Sequence, residues 1–349
     1  MGGRRLKDQS HNVVLTLGGP PISIPCPVAS CLVVTGRDTR AGGTEGDVSV
    51  DLPSGPPRPN DNLRAVSPPG PVATRPVLHT AELDDEASTR ASAQHFDPVF
   101  GRRFAERALD ALVVLRGGRV LDVACGTGIF ARMAAHVVGP AGKVVGIDPT
   151  PAVVEAARRI DITSIVEWRN WEGSRLPFDS ATFDVVACQH ALHRFSDPEA
   201  LLEDMRRVLV PGGRLGIMTW GPIEENPAFA AELDAIVKSG LDKSGVVELL
   251  LDAFAYHRID DLREVAHNAG FTDVSCRTVR MLAALPRVSQ WVRVYPSLPP
   301  LSRAWRDCSQ QARIQFLSRV TELLRPFEHD GVLRVQASSR LVVARAPLS

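Results

Sequence analysis

The chain has 349 residues, 44% of them hydrophobic, with 40 basic and 40 acidic side chains, enough to bury a large core in one to three domains. A formal net charge of zero, with 32 basic and 34 acidic residues between 81 and 349, leaves no footprint for nucleic acid or an anionic membrane at the level of composition. Six cysteines, Cys26, Cys31, Cys125, Cys188, Cys276 and Cys308, form no C-x-x-C pair and no cluster with His at ligand spacing, so no metal site is expected and the thiols read as free in a reducing cytoplasm.

Residues 1–80 differ in kind from the rest, holding 12 of the 27 prolines and 10 of the 27 glycines without sustained periodicity. A disordered extension is expected there. Arg4-Arg5-Leu6-Lys7 has the charge of a twin-arginine signal, but Asp8 to Asn12 interrupts any apolar region, and Pro25 and Pro27 break the run from Ile22 to Val34; export is not expected. No stretch approaches the roughly 18 uninterrupted apolar residues of a membrane-spanning helix.

Order is expected from Glu82 to Ala93, then a helix from Pro98 to Leu115 with Phe104, Ala108, Leu112 and Leu115 on one face, stopped by Gly117-Gly118. Arg119 to Val123 reads as a buried strand, followed by a glycine loop and a helix to Val138 closed by Gly139-Pro140. Lys143 to Asp148 is a second strand, and Pro151 opens the next helix. Ile162 to Trp168 and Phe183 to Cys188 are a third and a fourth strand. Asp197-Pro198-Glu199 starts a helix lined by Leu201, Leu202, Met205, Val208 and Leu209, and Pro211-Gly212-Gly213 turns it into a fifth strand, Arg214 to Trp220. Five alternations between 98 and 220 are the signature of an α/β, doubly wound, Rossmann-like parallel sheet.

The loop Asp122-Val-Ala124-Cys125-Gly126-Thr127-Gly128 carries the chemistry. Gly126 and Gly128 let backbone approach a ligand closely, and the free N–H groups of the following helix favour a negative group. Gly126-x-Gly128-x-x-Ala131, with Asp148 at the acid spacing, satisfies a dinucleotide fingerprint. Asp122 points elsewhere: an anion at the strand end gains little from a pyrophosphate, whereas a zwitterionic amino-acid ligand carries an ammonium. S-adenosylmethionine is therefore favoured over NAD. Asp148 is placed to accept from both hydroxyls of a ribose or to cap the following helix, and the two roles are compatible. Cys125 is explained by its small size.

Glu172 is a candidate acceptor for an exocyclic amine and Trp171 a candidate aromatic surface, although each residue type alone is more often a surface acid and a core aromatic. Gln189, His190 and His193 supply the polar groups at the exit of the fourth strand. The two histidines are the candidates for a general base if the acceptor must lose a proton; packing, hydrogen bonding and helix capping are their other readings.

Four motifs, Val120 to Gly128, Val145-Gly-Ile-Asp148, Leu176-Pro-Phe with Phe183-Asp184-Val185, and Arg206 to Gly213, are together similar to the class I S-adenosylmethionine-dependent methyltransferases. The segment 97–222 resembles their small-molecule branch, which includes the quinone-biosynthesis enzymes, and Glu224-Glu225-Asn226-Pro227 with the tail through Arg345 resembles one subgroup of it. The resemblance implies a seven-stranded, mostly parallel sheet with the last strand antiparallel, completed near Thr272 to Met281 and Arg340 to Ala344. It implies S-adenosylmethionine as cofactor, with Asp122, Ala124, Cys125, Gly126 and Gly128 around its methionine end, Asp148 and Pro149 at the ribose, Trp171 and Glu172 at the adenine, and Gln189 nearby. Two departures stand out: Ala124 replaces the usual Gly, and Trp171-Glu172 replaces the usual Gly-Asp.

The expected division is an extension over 1–80, a cofactor core over 81–222, and a helical substrate lid over 223–349 that completes the sheet. In the lid, Asp260 to Asn268 and Arg303 to Leu324 read as helices, the second with Trp305, Cys308, Ala312, Phe316, Val320 and Leu323 on one face. Trp291, Tyr295 and Trp305 are candidates for an apolar substrate wall or for plain core. The expected partner is a small-molecule methyl acceptor; the chain lacks the Asn/Asp-Pro-Pro-aromatic tetrapeptide of nucleic-acid amino methylation and any carboxylate cluster for a metal. A non-enzymatic protein that keeps the fold to bind the cofactor, and an NAD(P)-dependent oxidoreductase, are the alternatives.

Overall fold

The computed structural model describes residues 12–15, 22–25, 86–172, 175–241 and 245–348, and the chain divides into two units, Met1–Ser67 and Pro68–Ser349. In the first, β1 (Asn12–Leu15) pairs antiparallel with β2 (Ile22–Pro25), Asn12 opposite Pro25. The remainder of the extension expected to be disordered lies outside the described residues.

The second unit opens with α1 (Glu86–Ala91), a π-helical segment over Ser92–Gly101 and α2 (Arg102–Leu112). The expected helix to Leu115 ends earlier because Val113 takes a left-handed φ of 49°. Phe104, Ala108 and Leu112 are buried as expected, whereas Leu115 lies past the end and is 68% exposed. The alternation then runs β3 (Arg119–Val123), α3 (Ile129–Val138), β4 (Lys143–Asp148), α4 (Pro151–Ile160), β5 (Val166–Asn170), β6 (Phe183–Gln189), α5 (Pro198–Val208) and β7 (Leu209–Trp220). The third strand starts later than expected. Asp161 Oδ1 accepts from the Thr163 N–H and hydroxyl, closing a turn that leaves Ile162 87% exposed. The fifth strand starts earlier, with Pro211-Gly212-Gly213 accommodated as an irregularity in its pairing with β6.

After β7 come α6 (Pro227–Ser239), α7 (Val246–Asp252), α8 (Ile259–Asn268), β8 (Thr272–Pro286), α9 (Val288–Trp291), α10 (Leu301–Asp307), α11 (Gln310–Leu324), β9 (Glu328–His329) and β10 (Val332–Arg345). The expected helix 303–324 is two helices, because Ser309 caps α11 by accepting from the Ala312 N–H at 3.2 Å. Leu324 rather than Leu323 is buried with Ala312, Phe316 and Val320.

The sheet order is β5-β4-β3-β6-β7-β10-β8, with the two-residue β9 paired to the start of β10. The first five strands are parallel and β10 is antiparallel to both neighbours, the seven-stranded arrangement expected. Because the parallel strands are covered on both faces, they read as apolar runs: Val120, Leu121, Val123, Val144, Val145 and Ile147 are all fully buried. One face packs on α5 and α8 through Leu201, Leu202, Met205, Val208, Leu262 and Ala266. On the other, α2 lies so close to β7 that a Cβ on Gly216 would stand 2.7 Å from Leu112.

The loop after β7 is tied to β10 by the motif Glu225-Asn226. Asn226 is buried, donates to the carbonyls of Pro222 and Ser338 at 2.9 and 3.2 Å, and accepts from the Ser338 N–H at 2.8 Å. The buried Arg340 donates to Glu225 at 3.3 Å and to the His257 carbonyl at 3.0 Å. Among the described residues no helix is long and apolar enough to cross a membrane, and no group of three or more His, Cys, Asp or Glu side chains is arranged to hold a metal ion.

Candidate active site

The strand order reverses between β3 and β6, so the crevice beyond their carboxyl ends is where this architecture holds a ligand. The loop after β3 forms its floor. Ala124 sits at a left-handed φ of 53°, a region where glycine would carry no steric cost, and Gly126 and Gly128 follow at 56° and 82°. The two glycines do different things. A Cβ on Gly126 would meet nothing within 4 Å, leaving open space over the loop, whereas a Cβ on Gly128 would fall 2.1 Å from the Trp168 ring. Trp168, on β5, is fixed there by donation from Nε1 to Asp161 at 3.1 Å.

Three carboxyl groups converge on the loop. Asp122, buried at the end of β3, accepts from the Ala131 N–H in the first turn of α3 at 3.1 Å. Burial pushes its pKa up to about 8, opposed by that hydrogen bond and reinforced by Asp148. Asp148, at the end of β4, accepts from the Gly126 N–H and the Thr150 N–H, both at 3.0 Å. It thus holds the glycine loop and the entry to α4 at once. Asp97, from the π-helical segment, accepts from the Thr127 hydroxyl, and burial raises its pKa. Arg132 donates to the Thr127 carbonyl and is the cation whose charge acts on Asp97 and Asp122.

Sequence reasoning missed Asp97, Thr127, Arg132 and Trp168. Thr127 lay inside a motif read only for its glycines. Asp97 becomes visible only when the π-helical segment crosses the loop; Asp97-Pro98 set between Phe96 and Val99-Phe100 was its faint signal.

Cys125 is buried, its N–H donates to the Ile147 carbonyl at 2.9 Å, and desolvation raises its thiol pKa well above the ordinary value. Pro149 and Asp148 offer their carbonyls to Asn170 Nδ2 at 3.0 Å. Trp171 is buried, with Nε1 given to the Arg175 carbonyl at 2.8 Å and its ring 6.2 Å from Phe195; Glu172 is exposed. Gln189 donates to the Gly101 carbonyl at 3.2 Å, while its Oε1 is buried without a partner. His193 lies half-buried in a short 3₁₀ turn, Leu192–Arg194.

His190 lies with a left-handed φ of 54° at the exit of β6. Its ring stacks on Trp220 at 4.1 Å, meets Phe104 edge-on at 5.2 Å, and places Nε2 2.9 Å from the Ser339 hydroxyl. Desolvation lowers its pKa to about 3, so it is neutral at pH 7. From Trp220 an aromatic band runs through Phe229 at 4.8 Å to Phe100 and on to Trp291.

The open face of Gly126, the unpartnered Gln189 oxygen and the acids at the strand ends fit an S-adenosylmethionine whose methionine end is cationic. This sheet order, with a glycine loop at its switch point, defines a class I S-adenosylmethionine-binding α/β protein.

Comparison with known proteins takes the same direction. A family model described as a methyltransferase domain, type 11, matches residues 121–217. The ubiquinone/menaquinone biosynthesis C-methyltransferase UbiE of Cronobacter sakazakii is 32% identical over 179 residues, 48% of this chain and 71% of that protein. The 2-phytyl-1,4-naphtoquinone methyltransferase of Thermosynechococcus vestitus is 37% identical over 114 residues, 32% of this chain and 51% of its own. An uncharacterized 37.1 kDa protein of a Streptomyces fradiae transposon is 32% identical over 203 residues, 55% of this chain and 56% of its own. The chain thus spans about half the length of several curated relatives that it matches. It belongs to the class I S-adenosylmethionine-dependent methyltransferases, in the type 11 branch, and its cofactor is S-adenosylmethionine.

Proposed function

We propose that the chain transfers a methyl group to an O, C or N atom of a small, partly apolar metabolite. The observation that carries this reading is the convergence of Asp97, Asp122 and Asp148 on a glycine loop whose Gly126 face is open, one aromatic band away from the helical cover. When bound, the cofactor supplies a methyl group activated by its bond to a sulfonium.

The chain's own part is alignment and exclusion of water, because orientation alone can lower such a barrier by several kcal/mol. Asp122, Ala124, Cys125, Gly126 and Gly128 would surround the methionine end, with Gln189 Oε1 as an acceptor for its ammonium. Asp148, at the end of β4 where it already holds the Gly126 and Thr150 N–H groups, would meet the ribose hydroxyls. Trp171 would wall the adenine, and Glu172 would reach it from the rim. His190, neutral and bonded to Ser339, orients the exit of β6 rather than taking a proton; a ring of pKa about 3 is too weak a base for an alcohol or phenol. The acceptor atom is then one that needs no base at this position. The similarity to the quinone-biosynthesis C-methyltransferase UbiE supports carbon among the three choices.

Calorimetric titration with S-adenosylmethionine, S-adenosylhomocysteine and NADPH tests the reading. One-site binding of the first two and none of the third is expected; binding of NADPH alone would overturn it. His190→Ala should leave the pH dependence of the chemical step unchanged between pH 5 and 8.

A further inference from the structure

The π-helical segment Ser92–Gly101 is of a rare kind that frequently marks a functional site. The Arg102 N–H donates to the Asp97 carbonyl five residues back, and Pro98 inside the segment has no N–H to give. Hydrogen bonds tie the segment to the cofactor side at two points one turn apart. Asp97 accepts from the Thr127 hydroxyl in the glycine loop, and the Gly101 carbonyl accepts from Gln189 Nε2 at 3.2 Å.

The residues just before those two ties build the aromatic band. Phe96 and Phe100 lie 5.0 Å apart, and each packs on both Trp220 and Phe229: Phe96 at 6.1 and 6.2 Å, Phe100 at 6.3 and 6.2 Å. Phe100 also meets Trp291 of α9 at 6.3 Å. Phe96 and Phe229 are only half-buried, so two rings of the band keep exposed surface that an apolar acceptor can cover. One segment thus carries the ties to the cofactor loop and the rings of the acceptor wall, and whatever fixes the first fixes the second.

Gln189 stands at the join. It lies two residues past Ala187, which pairs with Asp122, and so at the switch point beside the loop after β3. Its amide is half used: Nε2 is given to Gly101, while Oε1 is buried without a partner. A carbonyl only accepts, so the bond to Gly101 fixes which branch is nitrogen and leaves the oxygen as the free acceptor. There is room in the adjoining loop, where a Cβ on Gly126 would meet nothing within 4 Å. We propose that Gln189 is a positioning residue that couples the two ends of the active site: the cofactor's ammonium on its oxygen fixes the amide, whose nitrogen holds Gly101 and with it the Phe96 and Phe100 wall of the acceptor site. This coupling rests on the methyltransferase assignment. An amide bonded at one end still rotates; bonded at both it does not, and an ammonium on the oxygen strengthens the N–H as a donor. The bound cofactor thereby meets the entropic cost of ordering the segment, and the acceptor finds its wall already set. Packing alone does not call for an amide, since an apolar side chain would leave no oxygen buried and unpaired.

The test is amide exchange of the full chain, free and saturated with S-adenosylhomocysteine, which carries the ammonium, or with 5′-methylthioadenosine, which lacks the amino-acid part. In the intact chain S-adenosylhomocysteine should slow exchange across 92–101 at least about fivefold, whereas 5′-methylthioadenosine should change it by less than about twofold. That comparison does not depend on the folding of any variant. Gln189→Glu keeps acceptor oxygens for the ammonium and has no donor for Gly101. It should bind S-adenosylhomocysteine within about threefold of the parent and protect the glycine loop as before, yet slow 92–101 by less than about twofold. A residue that only packed would change exchange in the free chain and leave the response to the ligand intact. Phe100→Leu should keep the slowing at 92–101 and abolish the accompanying slowing at Val288–Trp291, which the ring contact relays. With S-adenosylhomocysteine bound, unchanged exchange across 92–101, equal slowing by the two ligands, or full slowing in Gln189→Glu would each overturn the proposal. Failure of S-adenosylhomocysteine to bind the intact chain would instead overturn the methyltransferase reading, and this coupling with it.

Discussion

Gly126 and Gly128 stand two residues apart with similar left-handed φ angles, yet substitution should separate them. Alanine at either position meets a backbone cost of about 1–2 kcal/mol. At Gly126 nothing else opposes it, whereas at Gly128 the methyl would collide with Trp168, adding about 1–3 kcal/mol of overpacking. Denaturant unfolding should show Gly128→Ala as the more destabilised by at least about 1 kcal/mol, and titration should show that Gly126→Ala loses cofactor affinity while remaining folded; the reverse order would mean that the Gly126 face is not the cofactor's. Asp122 makes a second residue-scale prediction. Its folded pKa of about 8 lies above the ordinary 3.8 because of burial, so the folded state binds the proton more tightly than the unfolded chain. Its contribution is fully present below about pH 4 and is lost as the pH rises toward 8. Asn keeps an oxygen for the Ala131 N–H and has no charge to desolvate. The stability of Asp122→Asn relative to the parent should therefore climb from pH 4 to pH 8, and a flat difference would show that the carboxyl group is not desolvated.

At the scale of elements, the π-helical segment Ser92–Gly101 holds Asp97 against Thr127 and offers the Gly101 carbonyl to Gln189. It covers the loop without belonging to the sheet. Thr127→Val keeps the shape and removes the hydroxyl, leaving the Asp97 carboxyl group buried without that partner. The loss is about 1–3 kcal/mol, local to the segment. Amide exchange across 92–101 should quicken at least about fivefold and cofactor affinity should fall, with little change in exchange along β3 and β4; unchanged exchange would mean that the contact does not hold the segment down. The same segment shows where the sequence is legible and where it is not. Lys143 to Asp148 was read to its ends because a buried parallel strand is an apolar run bounded by turn residues, and Asp197 was read as a cap because capping is local, as its bond to the Ala200 N–H at 2.9 Å bears out. The late start of β5 and the break at Ser309 depend on single side-chain bonds that periodicity does not see. Asp97 and Trp168 owe their significance to neighbours 30 and 40 residues away.

For the molecule as a whole, the proposed cofactor residues lie between Asp122 and Gln189, yet the sheet that holds them is closed by the last strand. β10 lies between β7 and β8 and pairs with β7 from Ser339 to Arg345. Leu333, Val335, Leu341 and Val342 are buried along it; four such side chains contribute roughly 6–12 kcal/mol, comparable to the roughly 5–15 kcal/mol that hold an ordinary domain together. The ties are polar as well: His190 reaches Ser339, and Asn226 pairs with both backbone groups of Ser338. The division proposed at 222 would therefore not separate folding units. A chain truncated after Pro222 keeps every proposed cofactor residue and loses β10, the α8 cover over α5 and the partner of His190. It should neither unfold cooperatively nor bind S-adenosylhomocysteine. Asn226→Ala in the full chain provides the graded version: leaving the Ser338 N–H and carbonyl without their partner should cost about 2–4 kcal/mol of stability while cofactor affinity at low temperature stays within about twofold. A truncated chain that bound S-adenosylhomocysteine as tightly as the full one would show that the first five strands fold as a unit and that β10 serves the acceptor side alone.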